Sequence, residues 1–258
     1  MQIIFNKYHG AGNDFIIIDN RETSINPDNK ELIEKLCNRH MGIGADGLIL
    51  IDKHEVYDFE MKYYNADGRE GSMCGNGGRC AVAFFHKTAG NVTKGSFLAI
   101  DGIHEYFIND NTISVSLRDT RPPILIDGNH FINTGSPHYI INVPNCEGVD
   151  VINKGRSIRS SQNFAPDGTN VDFVEYLQEG IFVRTYERGV ENETLSCGTG
   201  VTAAAISSKW DKGPGKYKVD IQTLGGEMSV SFKTSTTIIS DIYLTGPASF
   251  VFAGLIDL

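Results

Sequence analysis

The chain has 258 residues, of which 40% are hydrophobic, and it carries a formal net charge of −9. That length suffices for one large domain or for two domains of about 130 residues each. The negative charge, without any run rich in Lys and Arg, argues against nucleic acid or an anionic membrane as the main partner, because both would repel it.

Apolar alternation bounded by Gly, Asn or Asp predicts that strands dominate the chain. The predicted strands are Ile3–Phe5, Phe15–Asp19, Phe59–Tyr64, Ile113–Leu117, Val171–Leu177, Ile181–Tyr186, Val219–Thr223, Met228–Phe232 and Ile238–Leu244. The predicted helices are Asp28–His40, Gly75–Ala89 and Gly198–Trp210. This mixture predicts an α+β fold.

An internal repeat organises the sequence. Cys-Gly-Asn-Gly at Cys74 matches Cys-Gly-Thr-Gly at Cys197, and the difference between 197 and 74 gives an offset of 123 residues. The segment from Gly12 matches the segment from Gly135 at the same offset, and so does Glu70 with Glu193. We therefore predict two pseudo-symmetric lobes from an internal duplication, residues 1–119 and 120–248, which would bring Cys74 opposite Cys197 if they pack about a twofold axis.

Each of these two cysteines directly precedes a glycine-rich turn that opens a predicted helix. Free backbone N–H groups and the positive helix end surround the sulfur there, and such an environment lowers the pKa of a thiol. The same N–H groups suit a carboxylate, and Gly75 and Gly198 leave room for its close approach. A buried, unreactive thiol is the alternative for one such cysteine, but two at equivalent positions favour a functional pair.

A carboxylate held between two such helix ends would place its α-carbon between two sulfurs. One thiolate could then remove hydrogen from one face while the other thiol donates to the opposite face, which inverts the configuration. Helix dipoles would stabilise the developing charge without an electron sink. The pattern predicts inversion of a small amino acid with no cofactor and no metal site, since no Cys or His spacing suits a metal.

The other three cysteines receive no catalytic role. Cys37 and Cys80 lie on predicted helices and are interpreted as core residues, while Cys146 lies in a loop. An odd number of scattered cysteines without a secretion signal predicts free thiols in the cytoplasm, and no segment approaches the roughly 20 apolar residues of a membrane span.

Two polar groups near the repeat motifs are candidates for tuning or binding. We place His138 in a turn, where a histidine near a thiol could tune its charge or simply hydrogen-bond the turn. Glu187 and Arg188 end a predicted strand before Cys197 and could clamp the ammonium and carboxylate of a zwitterion. A solvated ion pair is the alternative for them.

The motifs resemble the signature blocks of the diaminopimelate epimerase family. The matching blocks are His9-Gly-Ala-Gly-Asn-Asp-Phe, Asn65-Ala-Asp-Gly, Met73-Cys-Gly-Asn-Gly-Gly-Arg-Cys, Glu187-Arg-Gly and Ser196-Cys-Gly-Thr-Gly. Their order and spacing cover essentially the whole chain. The cysteine blocks are shared more loosely with proline racemases and phenazine-biosynthesis relatives.

The resemblance implies a β-barrel-like sheet around a central helix in each lobe, with a final strand at about 249–258 that returns to the first lobe. It implies interconversion of LL- and meso-2,6-diaminoheptanedioate, a step toward lysine and peptidoglycan, and a homodimer is common among such relatives. It makes Cys74 and Cys197 the catalytic pair, tuned by His138 and Glu187. The implied substrate contacts are Asn13, Asn65, Gly75, Asn76, Asn170, Glu187, Arg188, Gly198 and Thr199.

Two positions depart from the family pattern. Ser136 stands where a substrate-binding asparagine is common, so it must reach further or use water, and Gly47 replaces a glutamine and removes a side-chain donor. These departures keep three alternatives open: a racemase of another amino acid on this scaffold, a paralogue without catalysis, and a redox protein in which the two thiols cycle through a disulfide.

Overall fold

The computed structural model describes residues 2–22, 25 and 29–257. The chain forms two compact units, Met1–Val115 together with Gly246–Leu258, and Ser116–Thr245. The sequence had placed the corresponding divisions after residues 119 and 248. None of the helices in the described part of the chain combines the length and apolar character that crossing a membrane requires.

Strands make up most of both units. In the first unit they are β1 Gln2–Gly10, β2 Asn13–Asp19, β3 Gly47–Asp52, β4 Phe59–Asn65, β5 Lys94–Ala99, β6 Gly102–Asn109, β7 Thr112–Leu117 and, at the C-terminus, β17 Ser249–Asp257. In the second they are β8 Ile124–Ile126, β9 Asn129–Asn133, β10 Pro137–Asn142, β11 Asn170–Tyr176, β12 Ile181–Glu187, β13 Asn192–Thr194, β14 Gly215–Thr223, β15 Gly226–Thr234 and β16 Ile239–Gly246. The helices are α1 Lys30–Cys37, α2 Gly75–Thr88, α3 Val151–Arg159, α4 Gly198–Trp210 and a short 3-10 helix, Gln162–Phe164.

The two units repeat one order of strand pairing. In the first, β1 pairs antiparallel with β2, β2 parallel with β3, β3 antiparallel with β4, and β4 parallel with β5. In the second, the same order runs through β9, β10, β11, β12 and β14. Phe15 pairs with Gly47 and His138 with Asn170, so the 123-residue offset of the sequence repeat recurs in the strand register.

A buried helix lies at the centre of each unit. Helix α2 packs on β1, β2, β3 and β4, and its Gly78 faces Phe97 and Val115 at the far strands of the unit. Helix α4 contacts β9, β10, β11, β12, β14 and β15 in the same way. A helix that is buried on nearly every side must be apolar or small all round, which explains its many Gly, Ala and Val residues. The predicted α+β class is confirmed.

Helix α1 is shorter than predicted. It ends at Cys37 rather than His40 because Asn38 Oδ1 accepts the N–H groups of His40 and Met41 and turns the backbone away. Asn29 caps its start by accepting the N–H of Leu32 at 3.1 Å. The predicted start at Asp28 lies outside the described residues.

Helix α3 was missed from the sequence. It carries Gly155 in its interior and little apolar periodicity, so its local pattern argues against a helix. Packing overrides that pattern, because α3 lies against β11 and β12. Strand β3 was also missed, since Leu48 to Ile51 are all buried and lack the alternation of a half-buried strand.

Candidate active site

Cys74 precedes the first turn of helix α2 in the first unit. Its backbone is extended, with φ −98° and ψ 118°, and its carbonyl accepts the N–H of Gly78 at 2.7 Å. The thiol lies 3.6 Å from Asn13 Oδ1, to which it donates. The N–H groups at the start of α2 therefore lie beside a half-buried thiol that has a polar partner.

Two asparagines beside Cys74 have their amides oriented by charged partners. Asp46 can only accept, and Asn13 Nδ2 donates to its Oδ2 at 2.7 Å, so Asn13 turns its Oδ1 toward Cys74. Arg79 can only donate, and its Nη2 reaches Asn76 Oδ1 at 2.9 Å. Asn76 consequently turns its N–H groups the other way, with Nδ2 3.4 Å from Asn13 Oδ1.

Cys197 occupies the equivalent position before helix α4 in the second unit. Its Sγ lies 3.4 Å from Thr199 Oγ1, and Thr199 Oγ1 lies 2.9 Å from His138 Nε2. His138 Nδ1 in turn lies 2.7 Å from Asp172 Oδ2. His138 and Asp172 are fully buried, so a continuous hydrogen-bonded chain leads from a buried carboxylate to the thiol through Thr199.

The expected lowering of the thiol pKa is wrong for Cys197. Burial raises its pKa well above the usual range, and the nearby charges of Glu187 and Asp172 raise it further. The Thr199 hydroxyl and the Gly200 N–H act in the opposite direction but do not overcome these effects. The helix end is present as predicted, yet desolvation and two carboxylates decide the protonation state.

His138 does not lie in a turn, which corrects the sequence interpretation. It belongs to strand β10, where it pairs with Ile132 and Asn170, and the register makes it the counterpart of Phe15 rather than of Asp14. As a strand residue it points into the unit and reaches Thr199 rather than the thiol itself.

Asn170 and Arg188 lie beside this chain of hydrogen bonds. Asn170 Oδ1 accepts the backbone N–H of Arg188 at 2.8 Å, and the Arg188 guanidinium donates to the Asp167 carbonyl at 3.2 Å. Asn170 Nδ2 donates to Ser136 Oγ at 2.8 Å. Ser136 was expected to reach further or use water, but its oxygen instead joins Asn170, which leaves its hydroxyl hydrogen as a donor.

Asn65 ends strand β4 and is exposed. The Tyr63 hydroxyl donates to Asn65 Oδ1 at 2.9 Å. Gly47 pairs with Asn65, and a Cβ atom built on Gly47 would lie 2.5 Å from Tyr63 Cε2. The Tyr63 ring therefore fills the space of a side chain at position 47, and its hydroxyl supplies a donor there.

The remaining cysteines lie away from these groups. Cys37 and Cys80 are buried as predicted, and burial raises the pKa of Cys37 to about 12. Cys146 is also buried, its thiol donates to the Phe173 carbonyl at 3.3 Å, and burial raises its pKa to about 11. All five cysteines are free thiols.

Several groups that shape the site were missed from the sequence, namely Asp46, Tyr63, Arg79, Asp172 and Thr185. Asp172 gave a usable signal, because it is a charged residue in an apolar stretch and lies two residues after Asn170 on the same strand. Thr185 donates to Asp172 Oδ1 at 2.7 Å, a contact that no local pattern announces. Among residues 2–22, 25 and 29–257, no group of three His, Cys, Asp or Glu side chains is arranged to hold a metal ion.

Comparisons with known proteins agree across the chain. The family model described as Diaminopimelate epimerase matches residues 5–101 and 130–251. The chain is 47% identical to a diaminopimelate epimerase of Flavobacterium psychrophilum over 248 residues, which cover 95% of this chain and 97% of that protein. It is 42% identical to the diaminopimelate epimerase of Chlorobaculum tepidum, with 96% of this chain and 99% of that protein covered.

Solved structures share the fold at low sequence identity. A phenazine biosynthesis protein of the PhzF family from Bacillus anthracis matches with a TM-score of 0.75 and 14% identity over 100% of both chains. A hydroxyproline epimerase from Agrobacterium vitis matches with a TM-score of 0.71 and 12% identity, covering 99% of this chain and 92% of that chain.

Proposed function

The chain belongs to the diaminopimelate epimerase family and is an isomerase, and from this premise we propose that it interconverts LL- and meso-2,6-diaminoheptanedioate through Cys74 and Cys197. The observation that carries the proposal is the recurrence of one arrangement in both units. In each, a cysteine directly precedes the buried central helix, and a polar residue from the same unit lies beside its sulfur.

The proposed reaction is a proton exchange at the α-carbon. One thiolate takes the α-proton and becomes a thiol, while the other thiol gives its proton to the opposite face and becomes a thiolate. No electrons are gained or lost, and no cofactor takes part. The raised pKa of Cys197 keeps its proton in place at neutral pH, which suits Cys197 as the donor in the direction where Cys74 is the base.

Charge develops on the substrate carboxylate as the α-proton leaves. In the proposal, backbone N–H groups at Gly75 and Asn76 and at Gly198 and Thr199 donate to that carboxylate. These helix starts are fixed before substrate arrives because α2 and α4 are buried in their units. Fixed dipoles of this kind lower the barrier without reorganisation.

The polar groups around each thiol have distinct proposed roles. Asn13 accepts from the Cys74 thiol, and its amide is held by Asp46. His138 and Glu187 tune Cys197, the first through Thr199 and the second by its charge. Asn65, Asn76, Asn170 and Arg188 bind the polar groups of the substrate, and the product serves lysine and peptidoglycan precursor synthesis.

The test is deuterium incorporation at the α-carbon of LL- and meso-diaminoheptanedioate in heavy water, followed by NMR under reducing conditions. The wild type should exchange and invert, and Cys74→Ala and Cys197→Ala should each lose inversion by at least about a thousandfold. Cys146→Ala, which removes a buried thiol away from the two helix starts, is the matched control and should retain activity. No exchange by the wild type would contradict the proposal.

A racemase of another amino acid is the second candidate. It is favoured by the contacts of Ser136 with Asn170 and of Tyr63 with Asn65, which give this chain donors different from those the family resemblance implies. The same exchange assay over a panel of amino acids separates the two candidates, since only the preferred substrate should exchange at low concentration. A paralogue without catalysis would exchange none of them.

A further inference from the structure

Tyr63 lies on strand β4 between two glycines that leave room for its ring. A Cβ atom on Gly47 would lie 2.5 Å from Tyr63 Cε2, and one on Gly71 would lie 2.6 Å from Tyr63 Cε1. Neither distance is compatible with a real carbon contact, so the ring position depends on both residues being glycine. Phe15 packs edge-on against the ring with centroids 5.9 Å apart. The ring is therefore held on three sides.

This placement carries the Tyr63 hydroxyl to Asn65. Side chains two residues apart on a strand share one face, and Tyr63 Oη donates to Asn65 Oδ1 at 2.9 Å. The backbone of Asn65 is fixed as well, because its N–H donates to the Arg69 carbonyl and its carbonyl accepts the Gly68 N–H, both at 2.9 Å. An exposed asparagine thus has its main chain and its amide oxygen held in place.

The hydrogen bond determines what Asn65 offers to a ligand. With Oδ1 accepting from the phenol, the Nδ2 group keeps its two N–H donors for another partner. Two N–H donors complement a carboxylate, which only accepts, and they do not complement an ammonium group, which only donates. The reversed amide would present an oxygen to the same ligand and repel a carboxylate.

We propose that Tyr63 is a positioning residue for substrate binding: it holds the Asn65 amide with its N–H groups directed at a substrate carboxylate. The inference rests on the proposed function, in which Asn65 contacts the substrate. It adds a residue outside the sequence motifs and assigns the chemical group that Asn65 recognises. It also gives the Gly47 substitution a consequence, since only glycine there admits the Tyr63 ring.

The role predicts a specific kinetic effect. Removal of the hydroxyl lets the Asn65 amide rotate between two orientations, which weakens binding and leaves proton transfer at the α-carbon unchanged. Tyr63→Phe should therefore raise KM for LL-diaminoheptanedioate about fivefold, the effect of one ordinary hydrogen bond, while kcat changes by less than about twofold. Phenylalanine keeps the ring between the glycines, so the variant should fold.

A double-mutant cycle with Asn65→Ala tests the coupling, read by the α-proton exchange assay over a range of substrate concentrations. Tyr63→Phe should raise KM in the wild-type background and have no further effect once Asn65 is alanine. Tyr217→Phe is the matched control, because it removes another tyrosine hydroxyl that donates to a backbone carbonyl, at Gly213, and it should leave KM unchanged.

The outcomes separate this inference from the proposed function. Equal effects of Tyr63→Phe in both backgrounds, or an effect confined to kcat, would overturn the positioning role while wild-type exchange upheld the reaction. Absence of exchange by the wild type would overturn both.

Discussion

At the scale of single residues, partners from distant parts of the chain decide which groups hold a proton. Asp14 lies between Lys7, at 2.6 Å, and Arg39, at 2.7 Å. Burial alone would raise the pKa of Asp14, but hydrogen bonds and charge from Arg39 and Lys7 lower it to about 2. Asp14 is thus a structural anion that holds β1, β2 and the segment after α1 together.

Asp14→Asn should reduce the free energy of unfolding by about 2 kcal/mol at pH 7, as expected for a carboxyl whose pKa falls by nearly two units on folding. Because the folded pKa is depressed, this stabilisation is present above about pH 4 and is lost as the pH falls toward 2. Urea unfolding at pH 7 and at pH 2.5 measures the difference between wild type and variant. Asp67→Asn, at an exposed pair, is the control, and a difference that persists undiminished at pH 2.5 would contradict the assignment.

Glu187→Gln should lower the pKa of the Cys197 thiol. Burial is the main cause of the raised pKa and remains in the variant, but the neutral amide no longer disfavours the thiolate as the Glu187 carboxylate does. The pH dependence of iodoacetamide labelling, followed by mass spectrometry of the peptide that contains Cys197, should shift to lower pH. Glu179→Gln, an exposed carboxyl in the same unit, should leave the profile unchanged, and an unchanged profile for Glu187→Gln would refute the role of its charge.

At the scale of elements, close packing of backbone on side chains determines where helices can lie. Helix α3 approaches strand β12 through Gly155, whose missing side chain admits Tyr186. The Tyr186 ring is buried and its hydroxyl donates to Glu191 Oε2 at 3.1 Å. The glycine that weakens α3 as an isolated helix is the residue that lets it dock.

Gly155→Ala should destabilise the protein by roughly 1 to 2 kcal/mol. A Cβ atom there would lie 2.3 Å from Tyr186 Cβ, and the resulting overpacking outweighs the better helix propensity of alanine. The midpoint of thermal or urea unfolding measures the change. Gly148→Ala is the matched control, since its Cβ would meet nothing within 4 Å, and equal stability of the two variants would show that α3 moves at little cost.

At the scale of the whole molecule, the first unit is built from both ends of the chain. Strand β17 pairs antiparallel with β1 along nearly its full length. Edge-on aromatic contacts join Phe250 to Tyr8 and Phe252 to Phe5 across the two strands. The C-terminal strand is therefore part of the first unit and covers the edge of β1.

A chain that ends at Ala248 should lose roughly 3 kcal/mol or more of stability, from the cross-strand pairs and two aromatic contacts of β17. Hydrogen exchange should show the loss in β1 and β2, which belong to the first unit, while β10 to β12 of the second unit keep their protection. The double variant Phe250→Ala/Phe252→Ala should show an intermediate loss. Unaltered exchange in β1 after truncation would exclude this role for β17.

The chain by itself determined the features that depend on local pattern. The duplication, the central helices α2 and α4 and the positions of Cys74 and Cys197 at their starts follow from short motifs, because glycine turns and helix starts are encoded by neighbouring residues. Asn13, Asn76 and Thr199 followed from the resemblance at those motifs, and the structure places them beside the two sulfurs.

Only the tertiary structure decided the features that depend on partners far apart in the chain. The pKa of Cys197 is raised because burial and the carboxylates of two other strands outweigh the helix end that the sequence revealed. The orientation of Asn65 depends on a ring whose place is made by Gly47 and Gly71. Helix α3 forms where docking compensates a weak local preference. Charge, desolvation and close packing act through space, so residue order alone does not fix them.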